Sequence, residues 1–438
     1  MLSARYILST TGSTVVGGGL QLALTVLAAR LLTPEQNGHY AQFILVFNLA
    51  FICLNFGLGP ASTFFVASGR ASVRDVRRIN GAVLMGLTLL LGAFSGLAYW
   101  TGFAQVIEST LKIPVELLYI GAAAGLVFLS FNQILAILMG GHRYDTVNAL
   151  NVARTALPLI VVVGWALVGV SSAVSVSAAH AIGLALALVV SIKIAKISPG
   201  SEESIAKSGR PANVLRNMLG YGALVYFSNL LHYLAMRGLL LLLSYYSSPE
   251  SVGFLSLALL LLEVTLLLPS AIGQLVFPQS SSKDFDRAAI EMVLRMNLYV
   301  SLLLVVLIAS LAGPLVSLLM GAAYAPVAHA LIHLAPSVVL LAIPRILSQL
   351  LSGQGHPRYP LFAAAVSLLL GVALAVWAIP QWGVVGAAWV TNLVSAITAI
   401  ITVIGYCRVH HVTASEVLLP RRQDWAGVRR LVALRMGR

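Results

Sequence analysis

Three arginines stand where arginine is expensive. Arg237 lies between Ala235-Met236 and Gly238 followed by five leucines, Arg345 follows Pro344 within an apolar run, and Arg30 closes the first apolar run. An arginine at the centre of a membrane helix costs roughly 2.5–3.5 kcal/mol on insertion scales. The cost is tolerable where the side chain faces water or an anion, and a guanidinium pairs its planar fork with phosphate oxygens. Arg237 could instead pair with Glu263 or reach an interface, Arg345 could reach the cytoplasmic end of its helix, and Arg30 could anchor an interface or complement a helix C-terminus. Glu263 is the one carboxylate deep in a predicted span. It could bind H+ or Na+ and couple transport, or neutralise Arg237. Gln21, Asn48, Asn55, Asn132, Asn229, His232, Gln274 and Gln349 could line a cavity and bond hydroxyls; helix-to-helix hydrogen bonds would account for them equally. His329 and His333 are four apart, with no acid or thiol to complete a metal site, and His180 reads as a packing residue. No paired carboxylates, nucleophile elbow or phosphate-binding Walker loop occurs, so neither an enzyme nor an internal ATPase is expected, and no resident cofactor.

The elements that carry these residues are set by composition. Hydrophobic residues are 59% of 438 and charged residues 9%, against roughly 25% charged in soluble domains. Runs of roughly 20 apolar residues span a bilayer. Twelve are read, near 7–29, 40–60, 80–100, 117–139, 154–170, 174–194, 217–243, 252–276, 297–319, 327–351, 360–378 and 384–406. Backbone amides in hydrocarbon must be satisfied internally, so the fold class is all-α integral membrane protein with twelve transmembrane helices. The pair Gly92-x3-Gly96 and the pair Gly121-x3-Gly125 predict close helix contacts. Cys53 and Cys407 form no disulfide framework.

The net charge of +13 is distributed by topology rather than as a nucleic-acid surface. With the N-terminus in the cytoplasm, the inner segments hold 23 of the 27 basic residues, leaving Arg30, Lys112, Arg237 and Arg345. This positive-inside pattern puts both termini in the cytoplasm. The longest outer loop, about 101–116, carries only Glu108, Lys112 and Glu116 as charges.

The chain also repeats itself at half its length. Tyr6 falls on Tyr221, Pro34 on Pro249, Glu35 on Glu250 and Gly38 on Gly253 at a shift of 215; Gly141 falls on Gly355 and Gly169 on Gly383 at 214. The domains expected are residues 1–194, a six-helix lobe; 195–216, a polar cytoplasmic linker; 217–406, a second six-helix lobe; and 407–438, a basic cytoplasmic tail. An even number of helices per half makes the repeats parallel, and two such bundles suggest a transporter with its pathway between them.

Several stretches resemble one family in order and spacing. They are Ala29-Arg30-Leu31-Leu32-Thr33-Pro34-Glu35-Gln36-Asn37-Gly38-His39-Tyr40, Phe56-Gly57-Leu58-Gly59, Met236-Arg237 through Gly253, Leu268-Pro269-Ser270, Phe277-Pro278, Gly321-x2-Tyr324, and Ile379-Pro380-Gln381-Trp382-Gly383 through Ala388. They are similar to polysaccharide exporters and O-antigen-type flippases of lipid-linked oligosaccharides, in the multidrug/oligosaccharidyl-lipid/polysaccharide exporter superfamily. Gly238 stands where the family often has an acid beside the basic residue, and Tyr40 has Leu255 as its counterpart.

The resemblance implies two six-helix lobes around a central cavity that opens alternately to each side. The cargo it implies is a polyprenyl-diphosphate-linked oligosaccharide; Arg237 and Arg345, read above from their places in apolar runs, and Arg30, acting in the outward-open state, are then its expected diphosphate contacts. It also implies a multi-pass protein of the bacterial cytoplasmic (inner) membrane, serving O-antigen or exopolysaccharide assembly in lipopolysaccharide-type pathways, with membrane lipids and a polysaccharide polymerase or ligase as partners and no nucleic acid. Moving a diphosphate outward in a negative cell gains roughly 2.3 kcal/mol per charge per 100 mV, so coupling to H+ or Na+ is not required. A cation-coupled multidrug efflux transporter of the same superfamily is the alternative, and a membrane enzyme of glycan assembly is the alternative of another class.

Overall fold

A computed structural model describes residues 4–169, 172–197, 211–267, 269–270, 287–356 and 358–419. Helix dominates throughout, and no strand occurs among the described residues. The main elements are α1 (Ala4–Leu31), α2 (Pro34–Asn55), α3 (Leu58–Ala67), α4 (Val73–Trp100), α5 (Phe103–Leu111), α6 (Val115–Gly140), α7 (Tyr144–Leu167), α8 (Ala173–Ile197), α9 (Pro211–Tyr246) and α10 (Pro249–Thr265). They continue with α11 (Arg287–Met320), a 3-10 turn (Ala322–Tyr324), α12 (Ala325–Leu334), α13 (Pro336–Gly353), α14 (Arg358–His410) and α15 (Ala414–Leu418). Eight of the described helices are long and apolar enough to cross a bilayer, and α12 with α13, bent by 56°, makes a ninth if read as one span.

Local chemistry sets the helix ends. Thr33 caps α2 by accepting from the Gln36 amide, with Pro34 at the first helical position and Glu35 in the first turn. Ser72 caps α4 in the same way, accepting from the Asp75 amide at 3.0 Å. Pro34 and Pro249, 215 apart, each open a helix. α14 has 53 residues, a length of about 80 Å against a hydrocarbon core of roughly 30 Å. It is broken at Gly383 (φ 52, ψ −127), inside the Ile379–Ala388 stretch expected to turn.

The chain forms two compact units. The first comprises Met1–Leu257 and Ser317–Tyr324. In it α2 packs on α6, α1 on α7, and α8 on both α6 and α7. Leu24, Phe43, Phe47, Phe128, Val162 and Leu184 form the core of this bundle. Gly121 and Gly125 of α6 face α2, where an added Cβ would come within 2.8 Å of the Val46 side chain and 2.9 Å of the Phe47 carbonyl oxygen. Gly92 and Gly96 of α4 have the same spacing but meet nothing within 4 Å among the described residues. Among the described residues the motif thus marks a helix contact in α6 and none in α4.

The second unit comprises Ala258–Val316 and Ala325–Arg438. Its core joins Leu294 of α11, Ile346 and Leu350 of α13, Tyr406 of α14 and Val417 of α15.

Three expectations are corrected. The stretch 101–116 contains a helix, α5, rather than only a loop. α2 begins at Pro34 rather than near 40, because its N-cap lies in the polar stretch before the apolar run. Arg154, counted among the inner loop charges, is inside α7, ten residues beyond its start at Tyr144. The segments 198–210, within the expected linker, and 420–438, within the expected basic tail, lie outside the described residues.

Candidate functional site

Arg30 is exposed at the last turn of α1, and its guanidinium engages the end of α11. Nε donates to the Leu319 carbonyl at 2.7 Å, and Nη2 donates to the Leu318 carbonyl. The last carbonyls of a helix have no intrahelical partner and carry partial negative charge, which a guanidinium satisfies. Close by, the Tyr324 hydroxyl donates to the Leu32 carbonyl at 2.9 Å. The first turns of α2 and α10 meet at this same rim. A Cβ added to Gly253 would lie 2.9 Å from the Gly38 nitrogen, and one added to Gly38 would strike the Pro249 carbonyl. Only glycine lets two backbones approach this closely, and these two glycines are 215 apart in the sequence. The rim is tied further by Gln42 Nε2 donating to Ser244 Oγ at 2.8 Å, by Ser244 donating to the Leu111 carbonyl, and by Lys112 Nζ donating to the Ser247 carbonyl at 2.8 Å.

Arg237 is half-buried in α9, nine residues before the helix ends at Tyr246. Beside it, a Cβ added to Gly238 would meet nothing within 4 Å among the described residues. Asn48 and Asn132 turn back on their own helices, donating to the Ile44 and Phe128 carbonyls, each at 2.8 Å. Asn55 has a buried Oδ1 without a hydrogen-bond donor among the described residues, and Gln21 is half-buried on α1. The side chains of Asn229 and His232, and all of Gln274, lie outside the described residues.

In the second unit, Arg345 is half-buried on α13, directly after Pro344. Gln349 is exposed one turn later on the same face. Glu263 lies on an exposed side of α10. The buried carboxylate among the described residues is instead Glu291 of α11. Tyr406 Oη donates to its Oε1 at 3.0 Å, Arg287 Nε lies 3.3 Å from that oxygen, and Arg295 Nη1 lies 3.9 Å from Oε2. Arg295 Nη1 also donates to the Glu416 carbonyl at 3.0 Å. This knot joins α11 to α14 and α15 and reads as structural, since a buried charge needs partners of this kind. No three His, Cys, Asp or Glu side chains among the described residues are grouped to hold a metal ion.

A sequence model for the family described as polysaccharide biosynthesis protein matches residues 26–329. The chain belongs to that family. Over 97% of its length it is 22% identical to a protein of Haloferax volcanii described as a probable low-salt glycan biosynthesis flippase, Agl15, covering 90% of that protein. Its fold is similar to that of the lipid II flippase MurJ in an inward closed conformation, with a TM-score of 0.71, 16% identity, and 92% of this chain and 87% of that one covered. It is similar also to an inward-facing multidrug resistance MATE family transporter of the MOP superfamily, with a TM-score of 0.72, 16% identity, and 93% and 98% covered. This polysaccharide biosynthesis protein is therefore a multi-pass membrane protein with a MOP-type transporter fold.

Sequence reasoning missed one cation in this family member. Arg154 is half-buried in α7 with its guanidinium carbon 5.4 Å from the centre of the Phe128 ring, a cation–π contact. Phe128 packs edge-on to Phe47, and Phe47 lies against His180 with ring centres 6.2 Å apart. The His180 Nδ1 is 2.8 Å from the Tyr40 hydroxyl, so His180 is a satisfied packing residue. The available signal was the apolar stretch Ala156–Leu167 after Arg154, which is too short to span alone and needed the residues before Arg154 to complete it.

Proposed function

We propose that the protein is a flippase carrying a polyprenyl-diphosphate-linked oligosaccharide from the cytoplasmic to the outer leaflet, for surface polysaccharide assembly. In this reading twelve spans form two parallel six-helix lobes, residues 1–194 and 217–406, with both termini in the cytoplasm, and the lobes alternate in access around a cationic cavity. The observation that carries it is Arg237, a guanidinium about 14 Å from the end of the 36-residue α9, beside a Gly238 whose added Cβ would meet nothing within 4 Å among the described residues. A diphosphate is the group whose charge and oxygen geometry such a guanidinium serves best. Arg345 meets the same head group from the second half. Arg30 meets it on the outer side once the carbonyls of Leu318 and Leu319 have been released. The Haloferax relative's description as a glycan biosynthesis flippase supports the reading.

The test is transbilayer movement of a fluorescent polyprenyl-diphosphate sugar in vesicles holding the purified protein. Arg237→Ala is expected to slow it roughly tenfold to hundredfold, the worth of one or two charge-assisted bonds, with partial recovery in Arg237→Lys. An unchanged rate would refute the reading. With a membrane potential and no pH gradient, Glu263→Gln is expected to retain transport, because the potential acts on the diphosphate itself.

The fold shared with a multidrug resistance transporter supports a second reading, cation-coupled efflux. Under it, uptake of an organic cation would persist in Arg237→Ala and fail in Glu263→Gln.

A further inference from the structure

A cavity of about 340 Å³ lies inside the first unit, and none of the charged or amide side chains considered above lines it. Its walls are α2 through Leu49 and Cys53, α4 through Phe94, α5 through Phe103 and Ile107, and α9 through Leu241. Almost all of the lining is carbon. The Tyr119 hydroxyl at its edge is already turned onto the Ser95 carbonyl, at 3.4 Å. A space of this kind offers water no partners, stays dry, and takes apolar occupants. Left empty, it forfeits the dispersion contacts of its walls.

We infer that this cavity houses the hydrocarbon tail of the lipid-linked cargo, next to the arginine that meets its anionic head. The inference rests on the flippase reading above and deepens it.

Three observations select that occupant. First, Leu241, which lines the cavity, is four residues after Arg237. The two side chains share one face of α9, about one helical turn apart. One molecule with an anionic head and an apolar tail can therefore touch both. Second, Arg237 is about 14 Å from the end of its helix, counted from nine residues at the α-helical rise. A bulk phospholipid keeps its head at the interface and does not reach that depth. Third, the cavity has an apolar approach. Phe94 is 59% exposed and Phe103 47% exposed, with ring centres 6.5 Å apart, and Leu90 and Leu97 of α4 are exposed nearby. α5 turns Phe103, Ala104, Ile107 and Leu111 to the cavity and keeps Gln105, Glu108 and Ser109 exposed, the division of faces of a helix lying at a membrane interface.

The test uses the full chain in vesicles of phosphatidylglycerol and phosphatidylethanolamine. A cysteine replaces Leu90, which is exposed on the apolar approach to the cavity, in a Cys53→Ser, Cys407→Ser background, and a benzophenone maleimide is attached to it. Short-chain polyprenyl diphosphate is added as the probe, and the sample is irradiated. The expected result is a polyprenyl adduct that is lost in Arg237→Ala. Adducts to phospholipid acyl chains alone, unchanged by the probe, would overturn the inference.

Filling the space is the second arm. Ala122→Phe and Ile107→Trp are each expected to slow flipping roughly tenfold, the cost of losing the burial of about two methylenes. Ile107 is on the peripheral α5, so its variant serves if Ala122→Phe does not fold. A folded variant that flips at the wild-type rate would overturn the tail site while leaving the flippase reading intact. A wild-type protein that moves no polyprenyl-diphosphate sugar would overturn the flippase reading itself.

Discussion

Leu111 belongs to two regions of the first unit that are built in opposite ways. Its carbonyl accepts from Ser244 and Gln42 in the rim around Thr33, while its side chain lines the apolar cavity. The rim is held by directional bonds between groups distant in sequence: Arg30 to Leu318 and Leu319, Tyr324 to Leu32, Lys112 to Ser247. Such bonds are made or lost as a set, so the rim suits a contact with two discrete states. The cavity has no directional bond to offer and is governed by apolar area alone, so it selects for apolar character rather than for one fixed geometry. A transporter of amphiphiles needs both kinds of region, one to switch and one to accommodate.

The contrast can be broken most severely at the rim. Gly38→Val places carbon on the Pro249 carbonyl, and Gly253→Val does the same toward Gly38. Each is expected to cost about 3 kcal/mol, at the upper end for overpacking, read as a fall in thermal unfolding temperature in detergent. Gln42→Leu removes the amide that bonds Ser244 and leaves buried groups short of a partner. A loss of about 2 kcal/mol is expected, together with faster thiol labelling of a cysteine placed at Ser247. Tyr324→Phe removes one buried bond, to the Leu32 carbonyl. About 1 kcal/mol is expected, with the same labelling assay showing a smaller change.

The smallest effects sharpen the comparison by changing sign. Gly125→Ala in α6 presses on Ala50 and the Phe47 carbonyl and should lower the unfolding temperature. Gly92→Ala and Gly96→Ala in α4 meet nothing among the described residues and should raise it, by about 0.5–1 kcal/mol each. Equal losses in both helices would mean that α4 has a packing partner absent from this arrangement.

These glycine pairs also show how far the sequence can be read. Apolar length announces a membrane helix because the bilayer demands it, and the α4 and α6 spans were legible for that reason. Which face of a helix meets a neighbour depends on tertiary placement, and the same Gly-x3-Gly spacing had two outcomes. Elements that begin outside the apolar run were misread. α11 starts ten residues before its expected span and thereby carries Glu291 and Arg295 into the helical core. α7 likewise carries Arg154 inward. The partners of Arg30 lie 288 and 289 residues away, and no local pattern encodes them. Its placement at the end of an apolar run was legible; the carbonyls that hold it were not.

Helix α4 has a consequence beyond its role as a cavity wall. Four of its residues, Gly81, Gly86, Gly92 and Gly96, have no neighbour among the described residues that an added Cβ would meet within 4 Å. Beyond Leu87 the helix buries only Ala98, so few interlocking groups pin that half to the helices behind. A partition of this kind can bow outward without tearing an interface. On the flippase reading proposed above, it should therefore admit chains of differing girth and unsaturation, which would make the protein more selective about the sugar-bearing end of its passenger than about the length of the hydrocarbon trailing behind it.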